Sequence, residues 1–253
     1  MNVLTVDINC DMGEGFGPWQ MGNDAALMQY VTSANIACGF HAGDPLVMRK
    51  TVRLALKYHI AIGAHPGFPD LQGFGRRDIG MTPDEVFAMV LYQIGALEAI
   101  VRAEGGALHH VKPHGALYNM AAKDQKLADA IARAVQQAGT DLVLYGLSGS
   151  ALVQAGEAIG LRTASEVFAD RTYQGDGSLT PRSSPGALIE DMPTAVAQAL
   201  QMVRKQSVVS TSGQAVALVS QTICLHGDGA HAVKFAAAVN TAFKEAGIVM
   251  KAP

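Results

Sequence analysis

Short apolar runs that end in a polar cluster and give way to a helix start recur along the whole sequence. Val3 to Ile8 runs into Asp7, Asn9 and Asp11. Ser33 to Cys38 runs into His41, Gly43 and Asp44, and Ile60 to Ala64 into His65. Ala107 to Val111 ends at Lys112-Pro113-His114, and Leu142 to Tyr145 at Gly146. Leu161 to Ala164 ends at Glu166, Asp170 and Arg171, and Ile223 to Leu225 at His226-Gly227-Asp228. Strands that alternate with helices form a parallel sheet. An open doubly wound sheet gathers its ligands at one switch point. Here a polar cluster follows almost every strand. A closed barrel accounts for that, because all its strand C-termini meet at one mouth.

The helix starts are equally legible. Asp44 precedes Pro45, an N-cap followed by proline at the first helical position. Thr82-Pro83-Asp84-Glu85 has the form of a capping box, and Val86, Val90, Ile94, Leu97 and Val101 continue it at helical period. Asp124 starts a further helix, and Ser207 to Gln221 alternates as a hairpin around Ser212-Gly213. The segment from His65 to Arg77 is long and rich in glycine and proline, as a binding loop would be. The chain has 253 residues, 49% of them hydrophobic, with no linker or shift in composition. It is expected to form one barrel domain over residues 1–253.

The formal net charge is -3, and Lys and Arg form no runs, which argues against a nucleic-acid partner. Three cysteines fit a reducing compartment better than a disulfide scaffold. The N-terminus lacks the pattern of a signal peptide, and no apolar run reads as membrane-spanning. The expectation is a cytoplasmic protein with no membrane partner.

Asp7, Asn9 and Asp11 share a parity, so on a strand they face one side. They suit a divalent metal site with histidine ligands, or a general base oriented by its neighbours. A buried polar network closing the barrel needs the same residues. Of the eight histidines, His41, His65, His114 and His226 fall at strand ends. His109 and His110 lie inside a strand, so at most one points inward. Asp44 reads best as a helix cap, and the cysteines as small buried hydrophobes. No Gly-Lys-Ser/Thr phosphate loop, HExxH or paired CxxC is present.

Together these clusters resemble the LamB/YcsF family. The resemblance is carried by Asp7-Ile8-Asn9-Cys10-Asp11-Met12-Gly13-Glu14-Gly15-Phe16-Gly17, the stretch from Asn35 to Pro45, Gly63-Ala64-His65-Pro66-Gly67-Phe68-Pro69-Asp70 and Gly73-Phe74-Gly75-Arg76-Arg77. It continues through Val111 to Tyr118, Glu166 to Tyr173, and His226-Gly227-Asp228. Gly229-Ala230-His231 departs from the Thr-Pro type of sequence usual in the family, at a helix start. The resemblance implies a distorted, seven-stranded (β/α) TIM-like barrel, similar to those of glycoside hydrolases and polysaccharide deacetylases. It also implies ATP-dependent cleavage of the lactam 5-oxo-L-proline to L-glutamate with ADP and phosphate. The work would be shared with subunits B and C of a 5-oxoprolinase.

For such a reaction we expect Asp11 with His41 or His114 as the base system, and Lys112 on the oxyanion or phosphate. Arg76 or Arg171 would clamp a carboxylate or phosphate, with Asn9 and Glu166 also binding substrate. ATP is the expected cosubstrate. A divalent metal would sit on Asp7 or Asp11 with His65 or His226. Two alternatives use the same residues: a metal-dependent amide or ester hydrolase working without ATP, and a non-catalytic protein that binds substrate or regulates its partners.

Overall fold

The computed structural model describes residues 3–139, 141–225 and 231–253. The elements follow in the order β1 (Thr5–Met12), α1 (Asp24–Leu27), β2 (Ser33–Ala37), α2 (Pro45–Lys57), β3 (Ala61–His65) and α3 (Pro83–Ala103). Next come β4 (Leu108–Val111), α4 (Gly115–Ala121), α5 (Gln125–Ala138), β5 (Val143–Leu147), α6 (Ala151–Ala158) and β6 (Arg162–Phe168). The chain closes with α7 (Met192–Lys205), β7 (Ser207–Val209), β8 (Ala215–Ala217), β9 (Thr222–Leu225), α8 (Ala232–Glu245) and β10 (Val249–Met250).

Seven parallel strands, β1-β2-β3-β4-β5-β6-β9, close on themselves through the β9–β1 pairing. The expected barrel is therefore present. β10 adds to the outer end of β1, and β7–β8 is the antiparallel hairpin expected around Ser212-Gly213. The odd-numbered residues of β1 face the barrel axis and stack in layers. Asp7 sits beside Thr222, Asn9 between Ser33 and Cys224, and Asp11 beside Asn35 at the mouth.

Helix starts are built as the sequence dictates. Asp44 accepts from the backbone N–H of Leu46 and Val47, and Thr82 and Glu85 complete a reciprocal capping box. The short α4, which starts at Gly115, is an addition to the expected elements. One expectation needs amending. By length and composition α3 is apolar enough to cross a bilayer. In the fold it is a barrel helix, its Val86, Val90, Ile94, Leu97 and Val101 buried in the core. That burial accounts for its apolar character.

A candidate metal centre at the barrel mouth

Four side chains from four strand ends converge on one point. Glu14 comes from the loop after β1, His41 from the loop after β2, His65 from the last position of β3 and His114 from the turn between β4 and α4. Their ligand atoms all lie within 4.8 Å of one another. Glu14 Oε1 is 3.5 Å from His41 Nε2 and 3.6 Å from His114 Nδ1. The His41 and His114 rings are stacked, with centroids 3.7 Å apart.

The outer nitrogens settle how these rings are oriented. His65 Nδ1 lies 2.7 Å from the carbonyl oxygen of Lys112, and His114 Nε2 lies 2.8 Å from that of Phe74. A carbonyl only accepts, so both nitrogens carry the proton. In the neutral rings the lone pairs are then on His65 Nε2 and His114 Nδ1, and these two atoms face each other at 2.9 Å. Two acceptors at that distance need a proton or a cation between them. Neither ring nitrogen of His41 makes a hydrogen bond among the described residues, although the ring is fully buried. Burial holds the His41 imidazole neutral, well below its ordinary pKa, and burial beside His65 brings His114 down to about 3.

Three imidazoles, two of them with an outer N–H on a backbone carbonyl, joined by a carboxylate, form a donor set for a divalent first-row cation. The residues present fit such an ion. The backbone is shaped for the same purpose. Phe74, at φ 55°, adopts the left-handed conformation that bulky residues avoid, and its carbonyl is the one that holds His114. At Gly75, φ 61°, a Cβ would sit 2.7 Å from His41 Cβ and 2.9 Å from His114 Cδ2.

Asp11 adjoins the cluster, its Oδ2 3.3 Å from His65 Nε2. Its Oδ1 accepts from Asn35 Nδ2 at 2.8 Å and from Lys112 Nζ at 3.0 Å. Burial opposes the Asp11 carboxylate, but the charges beside it, among them the Lys112 ammonium, hold its pKa well below the usual carboxylate range.

Lys112 lies deeper than expected. Its ammonium is 3.0 Å from Asp11 Oδ1, 3.1 Å from Asn9 Oδ1, 2.9 Å from Glu166 Oε1 and 3.1 Å from Cys224 Sγ. Three N–H donors already face four acceptors. Burial opposes this charge too, and Asp11 and Glu166 outweigh it. As placed, Lys112 is the counter-ion of two carboxylates and not a donor aimed at an oxyanion.

Above the cluster opens a cleft of about 670 Å³, lined among others by Asp11, Glu14, Phe74, Tyr118, Arg171 and Arg182. The expected site residues distribute as follows. Asp11, His65, Lys112, His114, Arg76 and Arg171 reach the cleft, and His41 stacks behind His114. Asn9 and Glu166 do not line it. Their side chains bond each other, Asn9 Nδ2 to Glu166 Oε1 at 2.8 Å, in the barrel interior. Asp7 does not share an ion with His65. Its oxygens accept from Thr32, Ser33, Tyr145 and Thr222 at the opposite end of the barrel axis. His226 lies outside the described residues.

Arg76 lies over the Phe74 ring, 4.9 Å from its centroid, at the rim. Arg77 is held by Asp70. Arg171 is partly committed to the fold, donating Nε to the carbonyl of Ala187 and Nη2 to that of Thr180. Burial raises the Cys224 thiol well above its usual value and the Cys38 thiol to about 12, so neither forms a thiolate. Sequence patterns gave no role to Glu14, although it stands three residues beyond Asp11 in a glycine-rich loop.

Comparison with known proteins agrees with the fold. The LamB/YcsF family model matches residues 6–253. The chain belongs to the LamB/YcsF family. Among its relatives, the 5-oxoprolinase A subunit of Geobacillus kaustophilus (strain HTA426) is 62% identical over 98% of this chain and 97% of its own length. The protein of that name from Bacillus subtilis (strain 168) is 58% identical over 99% and 97%. A solved structure, that of the lactam utilization protein from Thermus thermophilus, superposes with a TM-score of 0.94 at 46% identity, covering 99% of this chain and all of that one. A protein from Enterococcus faecalis V583, named a putative cellobiose-phosphate cleavage protein, shares the barrel at a TM-score of 0.56 and 16% identity. It covers 98% of this chain and 97% of its own.

Proposed function

We propose that this chain is the A subunit of a 5-oxoprolinase and that it carries the hydrolytic site for the lactam bond of 5-oxo-L-proline. One observation carries the reading: His41, His65, His114 and Glu14 converge beside Asp11 at the floor of the cleft, in a chain 62% identical to a protein named for that activity. ATP and subunits B and C complete the reaction. 5-Oxo-L-proline, ATP and two waters become L-glutamate, ADP and phosphate.

The lactam is an unstrained five-membered amide and a poor electrophile, so coupling to ATP supplies its driving force. A divalent cation held by His41, His65, His114 and Glu14 would polarise the amide oxygen or neutralise phosphate charge. The chain's own residues do the rest. Asp11 Oδ2 faces the cluster and is the group placed to take a proton from water. Asn35 and Lys112 hold its other oxygen. Arg76 and Arg171, on the cleft wall, suit the substrate carboxylate or a phosphate.

The test is reconstitution of this chain with subunits B and C, supplied with 5-oxo-L-proline and ATP. Glutamate and phosphate should appear together and vanish when this chain is left out. No glutamate in any combination overturns the reading. The donor set also suits an amide hydrolase that works without ATP, and glutamate formed without phosphate release would select that reading instead.

A further inference from the structure

His110 lies on β4, yet it bonds to β2. The strand between them, β3, carries Gly63 at the matching position, in register with Asn35 on one side and His110 on the other. The His110 ring crosses the space over that glycine, and its Nε2 lies 2.8 Å from Asn35 Oδ1. A Cβ at Gly63 would stand 2.1 Å from His110 Nε2. Any other residue at this position blocks the contact.

The direction of each bond between Asp11 and His110 Nε2 follows from the groups at its ends. Asp11 only accepts. Asn9 spends its Nδ2 on Glu166 Oε1 and Thr222 Oγ1, so its Oδ1 also accepts. Asn35 Nδ2 lies 2.8 Å from Asn9 Oδ1 and 2.8 Å from Asp11 Oδ1, and both its protons are used there. Its Oδ1 therefore faces His110, which must donate from Nε2. Burial holds His110 neutral, well below its ordinary pKa, so it has one such proton and its Nδ1 is an acceptor. His109 Nδ1 lies 3.2 Å from that atom, and the Tyr145 ring stacks on the imidazole at 4.2 Å.

We propose that His110 is a positioning residue for Asp11: reaching over Gly63, it locks the Asn35 carboxamide so that Asn35 donates to Asp11 Oδ1. Without the His110 proton, Asn35 Oδ1 is a buried acceptor with nothing to accept. No orientation of the carboxamide then pairs all its atoms: as it stands its oxygen is bare, and turned over that oxygen would lie against the Asp11 carboxylate and Asn9 Oδ1. The loosened carboxamide weakens one of the two bonds that fix Asp11 Oδ1 and leave Oδ2 aimed at the histidine cluster. The inference rests on the proposed role of Asp11, and its structural half is measurable on the isolated chain.

Two measurements test it. In the isolated chain, long-range proton–nitrogen correlation should find His110 protonated on Nε2 alone, with the Asn35 carboxamide protons protected from exchange. In His110→Phe, which keeps the stacking on Tyr145, those protons should exchange freely while the content of divalent cation is unchanged. In the reconstituted complex, His110→Phe and Gly63→Ala should each lower kcat about tenfold to a hundredfold. KM should stay within about twofold, and His110→Gln, which restores an N–H, should recover much of kcat. If either substitution prevents folding, Asn35→Ala should give the same kcat loss with the cation retained. His110 protonated on Nδ1, or a His110→Phe enzyme with native kcat, overturns the proposal. Failure to make glutamate with the native chain overturns the proposed function and leaves the tautomer measurement standing.

Discussion

Two buried polar clusters lie along one barrel axis and differ in how completely they are satisfied. At the closed end, Asp7 takes hydroxyl donors on both oxygens, from Thr32 and Ser33 on one and from Tyr145 and Thr222 on the other. Burial still raises its pKa against all four donors. At the mouth, His41 leaves both ring nitrogens without a hydrogen bond among the described residues, and His65 and His114 point lone pairs at each other. Asp7 and His41 are both buried, where a polar atom lacking a partner is destabilising. The first network closes on itself and so serves the fold. Among the described residues the second does not close on itself, and that difference is what the proposed cation site at the mouth rests on.

The comparison breaks most readily on activity. Asp11→Asn should lower turnover by roughly 10² to 10⁴, the worth of a general base. Its bound cation should be retained, because the four ligands are untouched; His65→Ala should lose both cation and turnover. Metal analysis of the purified variants, beside the glutamate assay, separates the two. An Asp11→Asn enzyme with native turnover removes Asp11 from the chemistry.

At the closed end the outcome should be reversed. Asp7→Ala strips four hydroxyls, three of them on buried residues, of their acceptor and should cost roughly 3 kcal/mol in urea unfolding. The cation content of the folded fraction should be that of the native chain. A loss of cation at unchanged stability would show that Asp7 serves the mouth after all.

Acid sharpens the contrast. The unfolded His114 takes up its proton near the ordinary value of 6.5, and the folded one only near 3. Between those values the unfolded chain holds more protons, so the stability of the cation-free protein should fall as pH falls. One such group contributes at most about 1.4 kcal/mol per pH unit. Urea melts at successive pH values should show a shallower slope for His114→Gln, and an unchanged slope contradicts the burial of a neutral His114.

The smallest effect belongs to the scaffold beside the site. Asp44 caps α2 and also accepts from the N–H of Gly17 in the glycine-rich loop. The backbone N–H groups of Val47 and Gly17 hold its carboxyl below the usual range. Asp44→Ala should cost about 1 kcal/mol, with turnover little changed. A large loss of activity at native stability would mean that Asp44 acts in the site.

Much of this was legible before folding was considered. The strand ends, the caps at Asp44 and Thr82 and the inward parity of Asp7, Asn9 and Asp11 all follow from local rules, and the structure contains them. What local rules missed is equally specific. Asp7 and Asp11 look alike on paper, yet one lies at each end of the axis. Lys112 stands at a strand end, where a cation facing substrate is a reasonable expectation, and the fold surrounds it with Asn9, Asp11, Glu166 and Cys224. Glu14 and His110 lacked any distinguishing local signal. One sits in a glycine-rich loop, and the other is half of a histidine pair of which only one member could point inward.

By itself the sequence determined the alternation of strand and helix, the polar rim of the barrel and which strand residues face its axis. These depend on a period of two in strands and on caps within a few residues. Only the tertiary structure decided which of those polar groups meet. Closing the seven strands brings residue 14 against residue 114 and residue 9 against residue 166. Contacts at that separation depend on register and strand order around the ring, which no local spacing encodes. The same closure decided that one cluster would satisfy its own hydrogen bonds and that the other, among the described residues, would leave the buried His41 nitrogens without any.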